Sequence, residues 1–165
     1  MTTTSKEATR VDATLGERLN ILRSAKTVAL VGVSPNPLRS SNFVATYLTR
    51  TPFTIWPVNP HADWVLGLKS YPTLADLPGV PDIVDVFRKE SELPQVVKEA
   101  IDVGAKVVWF QLGLRNEEAA SMAREAGLQV VQDRCLKIEH ARFAGGLHLA
   151  GFDTGVISSK RRRPV

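Results

Sequence analysis

Short, continuous apolar runs alternate along this chain with longer stretches in which apolar residues recur every three or four positions. The run TVALVGV, from Thr27 to Val33, is rich in β-branched residues and has no polar alternation, the pattern of a strand buried on both faces. FTIWPVNP, stopped by Pro57 and Pro60, is a second run of this kind; IVDVFR (Ile83 to Arg88), KVVWFQLG and GLQVV are three more. Between them lie helical periods. Leu15, Leu19, Ile21 and Leu22 predict an amphipathic helix from about Thr14 to Ser24 that covers an edge or face of the sheet. Phe43, Val44, Tyr47 and Leu48 form the apolar stripe of a second helix, for which Ser40 or Ser41 is the expected cap. Ser91 is the expected cap of a third, with Val96, Val97, Ala100 and Ile101 facing inward and Gly104 as its stop. A fourth begins at Asn116, where Glu117 and Glu118 complement the helix dipole, and ends at Gly127. The segment from His61 to Pro81 is broken by turn residues and predicts one short strand and a brief helix or turn.

Strands that alternate with helices of this length pair in parallel, because each crossover returns the chain to the same end of the sheet. The expected fold is therefore a single α/β domain, a doubly wound parallel sheet of about five strands. Its expected extent is residues 14–143, between a flexible N-terminus of residues 1–13 and an extension of residues 144–165. GGLHLAGFDTG in that extension is apolar enough to pack back on the domain or on a neighbouring subunit, and only SSKRRRPV has a loose composition.

Composition narrows the partners. With 165 residues and 44% hydrophobic content, the chain suffices for one sizeable core. No apolar run approaches the ~20 residues that span a bilayer, and MTTTSKEATR lacks a secretory core, so no membrane partner and a cytoplasmic location are expected. Cys135 is the single cysteine, and His61, His140 and His148 show no ligand spacing with it, so no structural metal is expected. The net charge of +4 equals the contribution of Lys160, Arg161, Arg162 and Arg163, and the rest of the chain carries 17 cations against 17 carboxylates. The basic excess belongs to the tail: a solvated end or, as the competing reading, a nucleic-acid contact.

In a doubly wound fold, ligands sit outside the carboxyl ends of the strands, where strand order reverses. The first strand runs into GVSPNPLRSS, which matches neither G-x-G-x-x-G nor a P-loop. Gly32, the hydroxyls of Ser34, Ser40 and Ser41, Arg39 and a following helix N-terminus suit an anion such as phosphate; the alternative is an ordinary turn whose serines cap the helix. The second strand ends in Val58-Asn59-Pro60 without the acidic residue that holds a ribose in NAD enzymes. Phe87-Arg88 offers a flat apolar group beside a cation, or simply a core phenylalanine beside a surface arginine. Gln111-Leu112-Gly113 offers an amide and exposed backbone, and Arg134-Cys135 a cation and a thiol, although a lone cysteine is more often a small buried hydrophobe. Asp85, between Val84 and Val86, must find a partner: loop backbone is the expected one, a proton-transfer role the alternative.

Taken together, GVSPNPLRSS, PVNP, DIVDVFR, VVWFQLG and QDRCLKIEHARF resemble the stand-alone CoA-binding proteins, a family similar to the CoA-binding domain of the succinyl-CoA synthetase alpha subunit. The resemblance spans about Lys26 to Phe143 and implies a Rossmann-like sheet that takes coenzyme A where other members take NAD. It implies that Gly32, Val33, Ser34 and Pro35 line the pyrophosphate turn, with Arg39, Ser40 and Ser41 on its far side. Val58, Asn59 and Pro60 match the turn that meets the CoA nucleotide. Phe87 and Arg88 match a pocket wall, and Gln111, Leu112 and Gly113 the turn where adenine lies; Cys135, beside Arg134, falls close to the CoA thiol end. The synthetase's second domain and phosphorylated histidine have no counterpart here. The expected function is thus non-catalytic binding of CoA or acyl-CoA, with a homo-oligomer or an unidentified protein as further partner. A CoA-dependent transferase or thioesterase using Cys135 is the enzymatic alternative, and a nucleic-acid protein using the basic tail the third.

Overall fold

A computed structural model describes residues 12–143; the expectations placed on residues 1–11, on His148 and on the tail from Ala144 to Val165, its KRRR run included, lie outside them. Helix α1 (Leu15–Ser24) opens with a capping box in which the Thr14 hydroxyl accepts from the Glu17 N–H and the Glu17 carboxylate accepts from the Thr14 N–H. Strand β1 (Thr27–Val31), helix α2 (Ser40–Leu48) and strand β2 (Thr54–Val58) follow. Next come a two-stranded antiparallel hairpin, β3 (Trp64–Val65) with β4 (Leu68–Lys69), and a 3₁₀ turn at Leu74–Asp76. The segment from His61 to Pro81 therefore holds two short strands where one was expected, because Leu66 and Gly67 adopt positive φ and reverse the chain. The series closes with β5 (Ile83–Val86), α3 (Leu93–Asp102), β6 (Val107–Phe110), α4 (Glu117–Glu125), β7 (Gln129–Val131) and α5 (Leu136–Phe143).

All five core strands are parallel, in the order β2-β1-β5-β6-β7, with the reversal between β1 and β5. That is the doubly wound α/β, Rossmann-like single domain the sequence predicts. Each face of the sheet has its own core. Leu30, Ile83 and Trp109 pack under α1, α2 and α5, against Ile21, Leu48 and Leu136. Val84, Val86 and Val108 pack under α3 and α4, where the fully buried Ala119, Ala120 and Ala123 let α4 lie close.

Two expected caps are not used. Arg39, not Ser40 or Ser41, occupies the N-cap position of α2 and makes no capping bond; the Ser41 hydroxyl instead accepts from the Ser34 N–H at 3.0 Å. Ser91 lies within a 3₁₀ turn, Glu90–Glu92, and α3 starts after it with Pro94 in its first turn, where a missing N–H costs nothing. Asn116 does cap α4, accepting from the Ala119 N–H at 2.9 Å. Asp12 and Ala13, expected in the flexible N-terminus, are tied to the domain: the Ala13 N–H donates to the Val130 carbonyl, and Asp12 accepts from Arg115 and from Gln132.

Candidate functional site

The strand reversal puts the ends of β1 and β5 side by side, and one glycine sets their spacing. Gly32 has φ +85°, and a Cβ there would stand 2.6 Å from the Phe87 carbonyl oxygen and 2.8 Å from Arg88 Cδ. Any side chain would force the two loops apart. Around this point the carboxyl edge of the sheet carries three hollows that share walls.

The middle hollow, about 380 Å³, is lined by Gly32, Ser34, Arg39, Ser40, Ser41, Phe87, Gln111 and Leu112, with Leu114 at its margin. Here α2 presents its N-terminus with no acidic residue in the first turn and no side chain capping it, so its partial positive charge is uncompensated. A second hollow, about 450 Å³, shares Ser40, Phe87, Gln111 and Leu112 with the first and ends at Cys135. Its remaining walls are Leu38, Phe43, Val44, Lys137 and Ile138. Leu38 is 88% exposed and Leu112 68%, so apolar surface is left open at this mouth. The third hollow, about 420 Å³, shares Gly32 with the first and lies on its other side, against Val58, Pro60, Pro72, Thr73, Arg88 and Glu92.

Twelve of the expected residues thus line one trough, and five do not. Val33 is fully buried in the core. Pro35 is exposed outside all three hollows. Asn59 is spent on the loops themselves, its Nδ2 donating to the Val33 carbonyl at 2.9 Å and its Oδ1 accepting from the His61 N–H at 2.7 Å. The Gly113 N–H donates to Asp133 at 2.6 Å, and Arg134 reaches Glu139 at 3.3 Å while its carbonyl accepts from the Trp109 indole at 2.8 Å. These groups shape the edge without facing the trough.

Sequence reasoning missed the walls of the Cys135 hollow. Phe43 was expected inside the α2 stripe, yet it is 51% exposed, because Ser41, Val44 and Leu48 take the inward face. Leu38, an apolar residue stranded in a polar turn, was the available signal. Lys137 stands over the rings of Phe43, at 5.5 Å, and Tyr47, at 6.0 Å.

Asp85 is fully buried, and its partner is the side-chain amide of Gln111, whose Nε2 donates to Oδ1, rather than the loop backbone expected. Burial pushes its carboxyl up to about 8, with the Gln111 hydrogen bond pulling the other way. Burial also raises the Cys135 thiol; backbone N–H groups of the α5 turn lower it, and the Asp85 charge raises it further. No cluster of three or more His, Cys, Asp or Glu side chains suited to a metal occurs among the described residues. Among them, too, no helix is long and apolar enough to cross a membrane.

The fold is a Rossmann-like α/β domain with its open trough at the strand reversal, the place where sheets of this kind take ligands. The sequence profile of the CoA-binding domain matches residues 26–141, and the chain belongs to that family. It is 42% identical over 121 residues to the uncharacterized protein YneT of Bacillus subtilis, covering 73% of this chain and 90% of that one. Over 164 residues it is 28% identical to the ADP-forming acetate–CoA ligase II of Archaeoglobus fulgidus, covering 96% of this chain but only 24% of the ligase. Among solved structures, a hypothetical protein from Pyrococcus horikoshii superposes with a TM-score of 0.78 at 44% identity, covering 81% of this chain and 94% of that one.

Proposed function

We propose that this chain binds coenzyme A or an acyl-CoA along the trough and performs no chemistry on it. The observation that carries the reading is the continuity of three hollows of different character across one sheet edge, in a member of the CoA-binding family. The diphosphate lies over Gly32 at the α2 N-terminus, met by Ser34, Ser40 and Arg39. The nucleotide occupies the side bounded by Val58, Pro60 and Arg88, with Pro60 and Pro72 as flat walls and Arg88 as the cation for a phosphate. The pantetheine arm takes the apolar side and brings its sulfur toward Cys135. This assignment moves Gln111 and Leu112 from adenine to the arm, because both line the hollow that ends at Cys135.

The enzymatic alternative needs Cys135 as a thiolate. Burial holds it as a thiol at neutral pH, which leaves it a poor nucleophile. Calorimetric titration with CoA, NAD and ATP in parallel tests the ligand. CoA is expected to bind tightest, and Arg39→Ala to weaken it about tenfold through loss of one charge-assisted phosphate contact. Tighter binding of NAD would overturn the assignment.

A further inference from the structure

Binding a flexible arm does not account for the floor of the apolar hollow. Ile83, Asp85 and Phe87 alternate onto one face of the sheet, as do Val107, Trp109 and Gln111 beside them. Asp85 therefore lies one layer beneath Phe87 and Gln111, both of which line the hollow. Its Oδ1 meets Gln111, and its Oδ2 is the buried side-chain polar atom left without a partner among the described residues. A buried carboxylate with a bare oxygen is costly, whereas a carboxylic acid leaves only a carbonyl oxygen bare.

The Asp85–Gln111 contact has two chemically complete forms. A carboxylate accepts from the Gln111 amide N–H, which leaves the amide oxygen for the hollow. A carboxylic acid donates its O–H to that oxygen once the amide has turned half a revolution about its last torsion, and then the amide NH₂ faces the hollow. The two ends of a carboxamide are nearly the same size, so the turn requires no repacking.

On the reading that the arm of CoA fills this hollow, we propose that Asp85, acting through Gln111, makes the site select CoA thioesters over CoA derivatives that lack an acyl carbonyl, and that ionisation of Asp85 erases the preference. The neutral acid turns the Gln111 N–H toward the thioester oxygen; the anion turns an acceptor toward it. Asp85 is thus a positioning residue and Gln111 the group that touches ligand. The surroundings favour the neutral form. Beside Asp85, β1 and β6 present Leu30 and Trp109, and the α2 wall of the hollow presents Phe43 and Val44. Titratable groups come from the turn after β7 and from α5, as Cys135 and Lys137. Burial dominates the carboxyl's own balance, offset only by Gln111.

The test compares propionyl-CoA with S-propyl-CoA, which has the same chain length and no carbonyl, by calorimetry at pH 6.5 and pH 9. Both carry the same phosphates, so phosphate titration cancels. The wild type is expected to bind propionyl-CoA about fivefold tighter at pH 6.5, one hydrogen bond's worth, and less than twofold tighter at pH 9. Asp85→Asn, whose amide can donate to Gln111 at any pH, should keep the preference at both values. Gln111→Met should bind both ligands without preference at either. Equal affinities in the wild type at pH 6.5, or a preference that survives at pH 9, would overturn the proposal while leaving CoA binding intact. Failure of the wild type to bind CoA or either derivative would overturn the underlying ligand assignment, and this proposal with it.

Discussion

Gly32 and Gly113 share φ +85°, yet they carry different burdens. At Gly113 nothing stands within 4 Å of a Cβ, whereas at Gly32 the Phe87 carbonyl and the Arg88 side chain close in. Gly113→Ala should therefore cost only the left-handed backbone penalty, about 1 kcal/mol in urea unfolding, and Gly32→Ala at least twice that because the β5 loop must also move. Equal losses would show that the loops relax freely. The sequence marks Gly32 as a point of close approach to a ligand; in the fold a Cβ there would also meet the chain's own Phe87 carbonyl. The Asn59 side chain likewise has partners within the chain. A polar residue at a strand end looks alike whether it holds a ligand or a neighbouring loop, and only the fold brings Val33 within its reach.

The five strands and the main helices were legible because apolar period and turn residues act locally. The arrangement of α5 was not, since it depends on partners far away in sequence. Buried Glu139 accepts from Arg18 of α1 at 3.1 Å, across 121 residues, and from Arg134 at 3.3 Å. The Arg18 guanidinium also donates to the Ala13 carbonyl at 2.9 Å. Replacing Arg18 with methionine fills its volume but leaves the buried Glu139 with only the half-exposed Arg134. We expect a loss of about 2–4 kcal/mol by urea unfolding, recovered in large part by the double change with Glu139→Gln. An Arg18→Met protein as stable as wild type would mean that packing alone seats α5. The apolar hollow depends on this seat, since Cys135, Lys137 and Ile138 all stand at the start of that helix.

For the molecule as a whole, Asp85 links stability to pH. Its folded value, about 8, lies above the ~4 of an unfolded aspartate. Between those values the folded state holds a proton that the unfolded state has released, so the contribution of Asp85 is complete below pH ~4 and declines as pH rises toward 8. Asp85→Asn should therefore gain stability over wild type at pH 8 and gain less at pH 5, as urea midpoints would record. An unchanged difference would mean that Asp85 ionises normally. His140 works in the opposite sense: burial lowers its value, so its contribution is held above ~6.5 and lost on acidification below that.

Both margins of the sheet are already occupied by backbone from elsewhere in the chain. Beyond β2, Tyr71 donates to the Pro57 carbonyl and accepts from the Asn59 N–H; beyond β7, Ala13 donates to the Val130 carbonyl. Fibrous growth by strand-to-strand stacking is thereby denied its template at either side. Among the described residues, the exposed Leu38 and Leu112 at the trough offer apolar surface to a second copy, and a copy seated there would compete with whatever the trough holds.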